Sequence, residues 1–429
     1  MLGLLTKETA VLFPAYALAL ELTVLGFGAG EARTRRNWKR LYAACVILAV
    51  LVFVFFAWPR YGQHGDYFMR DFTVGERLLT QLRVLPLYLG QILLPLSRSL
   101  WFYYDNYAPS HSLLNPVTTL LGGLLLAGLL GLALWLRKRA PLAALGILWF
   151  FAAHLLTSNI IPLELVFEHR NYFALLGVLL VLFDGVRRVQ LRDGPALKYV
   201  AVACVIAGFG FLAGIRAATW GDPLLLATEH THINPGSSRA SSDMAGIYYE
   251  MADNNPGSPF QDFAIREFER GAKLPHSSIV ADQGLILVST GAGRPVTDEM
   301  WVRLIDKLRN DTIRPETTTT LFKLLANRRK GIVLDDRHLT EAFLTLFSRV
   351  TLPPNSYADF GDYVLEFPKD EALADRMFVK AIEESRPYPD YARHVIATLR
   401  RRGHERQAKL AETRARELGL LAPADTSSH

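Results

Sequence analysis

The sequence predicts an all-α protein in two parts, a polytopic helical membrane domain followed by a soluble helical domain. Three observations predict this. Up to residue 216, apolar runs near membrane-spanning length alternate with short charged loops. From residue 217 onward, charges are spread as in a soluble protein, and no apolar run of about 18 residues recurs. Strand-like alternation of polar and apolar residues is scarce in this second part. The predicted domains are therefore 1–216 and 217–429.

Six segments are predicted to span the membrane: 9–28, 41–58, 117–136, 142–161, 172–186 and 197–216. A signal peptide is the rival interpretation of the first segment. The residue order is wrong for one, because apolar residues precede Lys7 and the acid Glu8 follows it.

Three basic loops, 31–40, 137–139 and 187–198, determine the predicted orientation. The positive-inside rule places all three in the cytoplasm, and this explains much of the net charge of +6 without a nucleic-acid partner. If the polar-interrupted segment 75–96 crossed the membrane, loop 137–139 would lie outside. We therefore interpret 78–96 as an amphipathic helix on the outer face. Segment 158–171 and the soluble domain are then external.

Prolines and glycines divide the soluble domain into helical segments such as 299–310 and 337–350. HINPGSSRASSDMAGIYYEM and FERGAKLPHSSIVADQGLIL resemble the junctions between tetratricopeptide repeats, although their spacing is irregular. We predict a degenerate repeat array, with an irregular helical bundle as the alternative. Such arrays bind proteins or peptides.

The sequence contains no Cys, His and acid spacing typical of a metal site, and no glycine-rich phosphate loop, so we expect no metal. Asp335-Asp336, an acidic pair among basic residues, is interpreted as a solvated loop. His154, inside a predicted span, is interpreted as a packed core residue.

The segment VFEHRNYFALLG (166–177) carries the candidate site, because it sets Glu168, His169 and Arg170 side by side at the predicted outer boundary. Lys7 and Glu8 begin the first helix on the same side. Together these residues could hold an anionic head group, since arginine donates two parallel hydrogen bonds to phosphate. The alternative is structural: charges at helix ends snorkel to the interface or pair to lock helices together. Glu164 and Glu168 would share a face if this segment were helical.

Aromatic residues crowd the external segment WFYYDNY (101–107). An interfacial aromatic belt explains many such residues. Stacking of the rings on sugars or lipid is the functional alternative.

Four phrases occur in an order that resembles one family: LLTKETA, RLLTQLRVLPLYLGQILLP, SNIIPLELVFEHRNYFALLG and TWGDPLLLATEHTHINPGSSRA. They resemble the transmembrane and tetratricopeptide-repeat family of protein O-mannosyltransferases and, more broadly, glycosyltransferases of the C superfamily. The resemblance covers roughly residues 1–255. It implies transfer of a sugar from a polyprenyl-phosphate donor to a protein or glycan acceptor on the periplasmic face of the bacterial inner membrane. It also implies that Lys7, Glu8, Glu168, His169 and Arg170 border the donor site.

The sequence departs from the family in one respect. The catalytic acids of that superfamily usually lie in the first external loop, and the first helix here already resembles a late family helix. We therefore expect an N-terminally truncated member that is inactive alone. A membrane-anchored repeat scaffold for envelope proteins is the non-enzymatic alternative. A transporter is less favoured, because matching interrupted helices are lacking.

Overall fold

The structure is a computed structural model that describes residues 7–28, 30–63, 66–190, 195–253 and 255–421. All regular structure in these ranges is helical, which confirms the predicted all-α class. The chain divides into two compact units, Met1–Ala240 and Ser241–His429.

The first unit contains the helices that precede residue 240. These are α1 (Phe13–Leu20), α2 (Ala32–Val52), α3 (Val74–Leu93), α4 (Thr118–Leu136), α5 (Pro141–His154), α6 (Asn171–Arg188), α7 (Pro195–Trp220), α8 (Pro223–Ile233) and the first residues of α9 (Ser238–Met251). A 3₁₀ turn precedes α1, and π-helical turns follow α1 and α2.

Five helical stretches in the described residues are long and apolar enough to cross a membrane. They are Glu8–Leu25, Ala32–Gly62, Thr118–Leu136, Glu168–Arg188 and Ala196–Trp220. The segment predicted as a span at 142–161 differs, since α5 ends at His154 and is shorter. Length and composition therefore give the first unit the character of a multi-pass membrane protein.

Helix α3, in the segment interpreted as an amphipathic outer-face helix, begins at a capping box. Thr73 Oγ1 accepts from the Glu76 amide (3.2 Å), and Glu76 Oε2 accepts from the Thr73 amide (2.7 Å). Its buried face is unusually polar and includes Arg77, Gln81 and Gln91. These three side chains bind the loops that form the candidate site.

Helices α5 and α6 pack closely through two facing glycines. A Cβ added to Gly146 would lie 2.3 Å from the Gly177 carbonyl oxygen, and one added to Gly177 would lie 2.4 Å from that of Gly146. Small residues allow this approach, which is how membrane helices gain packing contacts when apolar burial cannot drive their association. The close packing fixes the end of α5 and the start of α6, which flank the candidate site.

The second unit continues with nine helices in its described residues. They are α10 (Pro259–Lys273), α11 (Val280–Gly291), α12 (Asp298–Asn310), α13 (Pro315–Arg329), α14 (Asp336–Arg349), α15 (Pro354–Glu366), α16 (Glu371–Glu384), α17 (Pro389–Arg401) and α18 (Glu405–Glu417). Local chemistry starts many of them: proline occupies the first position of α10, α13, α15 and α17, where its missing N–H costs no hydrogen bond. Aspartates cap α14 and α16.

Consecutive helices of the second unit pack in pairs, most closely α10 with α11, α15 with α16 and α17 with α18. The core is rich in large side chains, including Trp301, Phe343, Phe360 and Phe378, each at most 2% exposed. Burying each contributes roughly 1.5–3 kcal/mol. The second unit is thus a helical domain with a repeat-like arrangement of helix pairs.

Candidate functional site

The candidate site is built on segment 155–170, which joins α5 to α6. The Arg77 guanidinium of α3 donates to four carbonyl oxygens of this segment, at 2.7 Å (Thr157), 2.8 Å (Asn159), 2.5 Å (Leu163) and 3.4 Å (Glu164). Helix α5 ends at His154, and these hydrogen bonds hold the irregular segment that follows it. Burial lowers the pKa of Arg77 to about 10, so the side chain stays charged at neutral pH.

Two further side chains of α3 fix the same segment. Gln81 Nε2 donates to the Leu165 carbonyl (3.0 Å), and the Phe167 amide donates to the Tyr88 hydroxyl (2.8 Å). The polar residues of α3 therefore hold the backbone on which the Glu168 motif is presented.

Glu168, His169 and Arg170 form one turn of 3₁₀ helix at the start of α6. Glu168 Oε2 lies 2.8 Å from Nη2 of Arg216, near the end of α7. Arg170 Nη1 donates to the Glu164 carbonyl (2.8 Å), and its guanidinium lies beside the Tyr88 hydroxyl. Arg170 has no carboxylate within ion-pair distance in the described residues. The acid of the motif is thus neutralised, and the arginine is not.

The first helix approaches the same motif. The rings of Tyr16 in α1 and Trp149 in α5 lie 4.2 Å apart. The Lys7 ammonium, exposed before α1, lies within electrostatic range of His169. Glu8 is also exposed and begins the turn before α1. The structure therefore brings Lys7 toward His169, whereas no described hydrogen bond or ion pair links Glu8 to the motif.

Glu164 does not share a helical face with Glu168, because the backbone before Glu168 is irregular. Instead, Glu164 Oε1 lies 2.9 Å from Nη1 of Arg239. The Arg239 amide donates to Asp105 Oδ2 (3.2 Å), while Asp105 Oδ1 is buried without a hydrogen-bond partner. Segment 101–107 thus contributes a carboxylate beside the candidate site.

Phe102 of segment 101–107 forms an aromatic cluster with residues from three other parts of the first unit. Phe102 stacks on His230 with ring centroids 5.3 Å apart, and its edge contacts involve Phe167 and Trp220. Trp220, the last residue of α7, is 46% exposed. The cluster lies next to the motif, since Phe167 also contacts the His169 ring at 4.4 Å.

His154 is a packed residue, as the sequence predicts. It is 2% exposed and stacks on Tyr88 with ring centroids 5.2 Å apart. Neither of its ring nitrogens has a hydrogen-bond partner in the described structure.

Sequence reasoning missed three arginines that organise the site: Arg77, Arg216 and Arg239. For two of them, the sequence contained a feature that could have identified them. Arg216 is a lone cation at the end of the last apolar run, and Arg77 interrupts an otherwise apolar segment, so both require a partner. No such feature marks Arg239, because it follows a turn in a polar stretch.

In the second unit, Asp298, Asp335 and His338 place potential metal-ligand atoms within 4.8 Å of one another. These atoms already have hydrogen-bond roles. Asp335 caps α14 and lies 3.0 Å from His338 Nδ1, and Arg337 Nη2 lies 3.1 Å from His338 Nε2. A guanidinium against the ring nitrogen disfavours a cation, so we assign this cluster to helix capping. The predicted solvated loop at Asp335-Asp336 is therefore an ordered helix start.

Comparisons of this chain with protein-family models, with curated proteins and with solved structures give no match. The geometry of the site and the resemblance in sequence are therefore the grounds for assigning a function.

Proposed function

We propose that the first unit belongs to a membrane glycosyltransferase and binds the phosphate of a polyprenyl-phosphate-linked sugar at Arg170. The observation that carries this proposal is the guanidinium of Arg170, which has no carboxylate partner in the described residues although Glu168, two residues earlier, is paired. An uncompensated cation at the end of an apolar helix is costly unless a ligand or water satisfies it. A phosphate would accept two parallel hydrogen bonds from this side chain.

The neighbouring groups support an anionic ligand of this kind. Lys7 adds a second cation near His169. Candidate spans on either side, Glu8–Leu25 and Glu168–Arg188, offer apolar surface to a polyprenyl chain. A lipid that carries a phosphate fits this combination better than a soluble phosphate does, because the site adjoins helices of membrane-spanning composition.

The reaction would be a displacement at the anomeric carbon. The acceptor hydroxyl oxygen forms a bond to that carbon, and the bond from the carbon to the phosphate oxygen breaks with its electron pair on the phosphate. The hydroxyl proton passes to a carboxylate. Arg170 and Lys7 would stabilise the phosphate as its negative charge increases.

The proposed location is the bacterial inner membrane, with the site and the second unit on the periplasmic side, as the basic loops indicate. The helix pairs of the second unit support a tetratricopeptide-like array that presents a protein or glycan acceptor.

Binding of undecaprenyl phosphate to the purified protein in nanodiscs tests the proposal without requiring turnover. Arg170→Ala should weaken binding at least about tenfold, because it removes charge-assisted hydrogen bonds. Arg187→Ala is the matched control, since this arginine lies at the opposite end of α6 and pairs with Asp184 at 2.9 Å. Equal affinity of Arg170→Ala and the wild type would refute the phosphate site.

A membrane-anchored scaffold is the second candidate, and the paired helices of the second unit favour it. A scaffold requires no lipid donor. If the wild-type protein bound a periplasmic protein through the second unit but showed no affinity for undecaprenyl phosphate, the scaffold would replace the enzyme as the better explanation.

A further inference from the structure

We propose that the basic start of α2 binds the phosphate of an anionic phospholipid such as phosphatidylglycerol at the head-group level of the membrane. The site is a stripe of three arginines, Arg33, Arg36 and Arg40. It is separate from the Arg170 site and does not depend on the function proposed above.

The three arginines lie on one face of α2, because residues three and four positions apart are neighbours on a helix surface. From Arg33 to Arg40 the stripe is about 10 Å long, at 1.5 Å per residue. All three side chains are exposed. Arg35 and Lys39 add two exposed cations beside the stripe, and Lys39 Nζ lies 5.3 Å from the centre of the Phe27 ring. The start of α2 is therefore a basic surface that a ligand can reach.

The positive charges of this surface are not compensated by acids. In the described residues, no carboxylate lies within ion-pair distance of a cation at positions 33–40. In another basic loop, by contrast, Arg187 and Arg188 both pair with Asp184 at 2.9 Å. Like charges four positions apart destabilise a helix. A phosphate relieves this repulsion, because each guanidinium can donate two parallel hydrogen bonds to it.

The length of the helix places the stripe at the membrane surface. The helical stretch Ala32–Gly62 has 31 residues. It is about 46 Å long, whereas the hydrocarbon core of a bilayer is about 30 Å thick. Its apolar part begins at Leu41, directly after Arg40, so the stripe lies among the head groups when the apolar part crosses the core. The rings of Trp38 and Tyr42, 6.2 Å apart, are at the same level and are typical of an interfacial aromatic belt.

The surroundings favour a phospholipid over other anions. Helix α2 has no buried residue, so acyl chains can pack along it while the head group contacts the arginines. A soluble phosphate or a nucleic acid would make no use of this apolar surface. Clusters of about four to eight Lys and Arg residues beside a membrane helix are typical of binding to anionic lipid, and positions 33–40 contain five.

Native mass spectrometry of the full-length protein in detergent tests the proposal by measuring the binding of single lipid molecules. The wild type should bind phosphatidylglycerol at least about fivefold more tightly than phosphatidylcholine, whose head group has no net charge. The triple variant Arg33→Gln/Arg36→Gln/Arg40→Gln should lose most of this preference. Its melting temperature should be unchanged, since the three side chains are exposed. Detergent has no cytoplasmic side, so a changed membrane orientation of the variant does not affect the measurement.

The matched control removes the same number of charges from loop 137–139, as Arg137→Gln/Lys138→Gln/Arg139→Gln. Consecutive residues of a turn do not form a stripe, and the Arg139 guanidinium lies over the Trp135 ring at 4.2 Å. The control should therefore keep the lipid preference of the wild type within about twofold.

Equal affinity of the wild type for the two lipids would overturn the proposal, as would an unchanged preference in the α2 variant. An equal loss of preference in both triple variants would also overturn it, because net charge alone would then explain the binding. Inorganic phosphate at the concentration of the lipid should not displace phosphatidylglycerol. Displacement would show that the surface binds free phosphate and that the lipid is not its ligand.

Discussion

Glu168 and Arg216, 48 residues apart in the chain, form an ion pair with Oε2 and Nη2 2.8 Å apart. Glu168 precedes α6 and Arg216 belongs to α7, so the pair joins two helices of membrane-spanning composition. The sequence left two interpretations of the motif open, helix locking and ligand contact. In the structure, Glu168 joins two helices through this ion pair, whereas Arg170 has no carboxylate within ion-pair distance in the described residues, and ligand contact by Arg170 stays a proposal.

Breaking this pair should destabilise the first unit modestly. Both side chains are about a quarter to a third exposed, so solvent screens their attraction. In a double-mutant cycle of Glu168→Ala and Arg216→Ala, we expect a coupling free energy of about 1 kcal/mol. Thermal unfolding of the four proteins in one detergent measures it. Purely additive effects of the two substitutions would show that the pair does not contribute to stability.

Substitution of Gly146 by alanine should disturb the packing of α5 against α6. Gly146→Ala places a Cβ at 2.3 Å from a backbone oxygen, which cannot move without shifting the helix. We expect destabilisation of about 1–3 kcal/mol, typical of overpacking. Gly128→Ala in α4 is the matched control, because its Cβ would have no neighbour within 4 Å. Equal melting temperatures for the two variants would contradict the close packing.

Local chemistry made most of the fold predictable. Apolar runs identified five candidate spans, and the proline at the start of helices such as α15 marks boundaries whatever surrounds it. The end of α5 was not predictable in this way. The segment that follows α5 is held by Arg77, whose carbonyl partners lie 80 to 87 residues away.

The sequence singled out residues of the candidate site, but it did not predict their ion-pair partners. Charge at an apolar boundary singled out Glu168 and Arg170. The ion pairs form with Arg216 near the end of α7 and with Arg239 at the start of α9. These helix ends are distant in the chain, so the residues around Glu164 and Glu168 do not reveal their partners. Arg239 shows the same limit, because it reaches Glu164 across 75 residues.

The second unit should lose stability in acid partly through Asp336. This carboxylate accepts from Arg328 Nε and Nη2 (2.9 Å each) and from the Tyr363 hydroxyl (2.8 Å). The Arg328 hydrogen bonds are the main cause that holds the pKa of Asp336 below its usual 3.8. A carboxyl group whose pKa is lower in the folded protein than in the unfolded chain stabilises the folded state. This stabilisation is complete at pH values above the unfolded pKa, and it is lost as the pH falls through the folded pKa. The loss should therefore occur below about pH 4.

Asp336→Asn tests this, because asparagine does not titrate. The variant should be about 1 kcal/mol less stable near neutral pH and should lose less stability than the wild type on acidification. Tyr363→Phe, which removes one donor, should give a smaller change in the same direction. Denaturant unfolding of the full-length protein over this pH range measures both. Parallel pH profiles for the wild type and Asp336→Asn would exclude Asp336 as a contributor.

Substitution of Asp282 should destabilise the second unit more than substitution of any other charged residue in it. It is fully buried, and its two oxygens each lie 2.6 Å from a cation, Arg303 Nε and Lys307 Nζ. Asp282→Ala leaves two largely buried cations without a carboxylate, which typically costs about 3–5 kcal/mol. Burial already lowers the pKa of Lys307, and loss of the neighbouring carboxylate lowers it further, so Lys307 loses its proton more easily in the variant.

The matched control is Asp306→Ala on the same helix as both cations. Asp306 pairs with Arg309 at 2.8 Å, but both side chains are about half exposed, so the expected loss is below about 1 kcal/mol. Because a lowered Lys307 pKa favours the neutral amine at high pH, the deficit of Asp282→Ala should shrink as pH rises toward that pKa. Denaturant unfolding at two pH values measures both effects. A deficit as small as that of Asp306→Ala would show that the buried network does not hold α11 and α12 together.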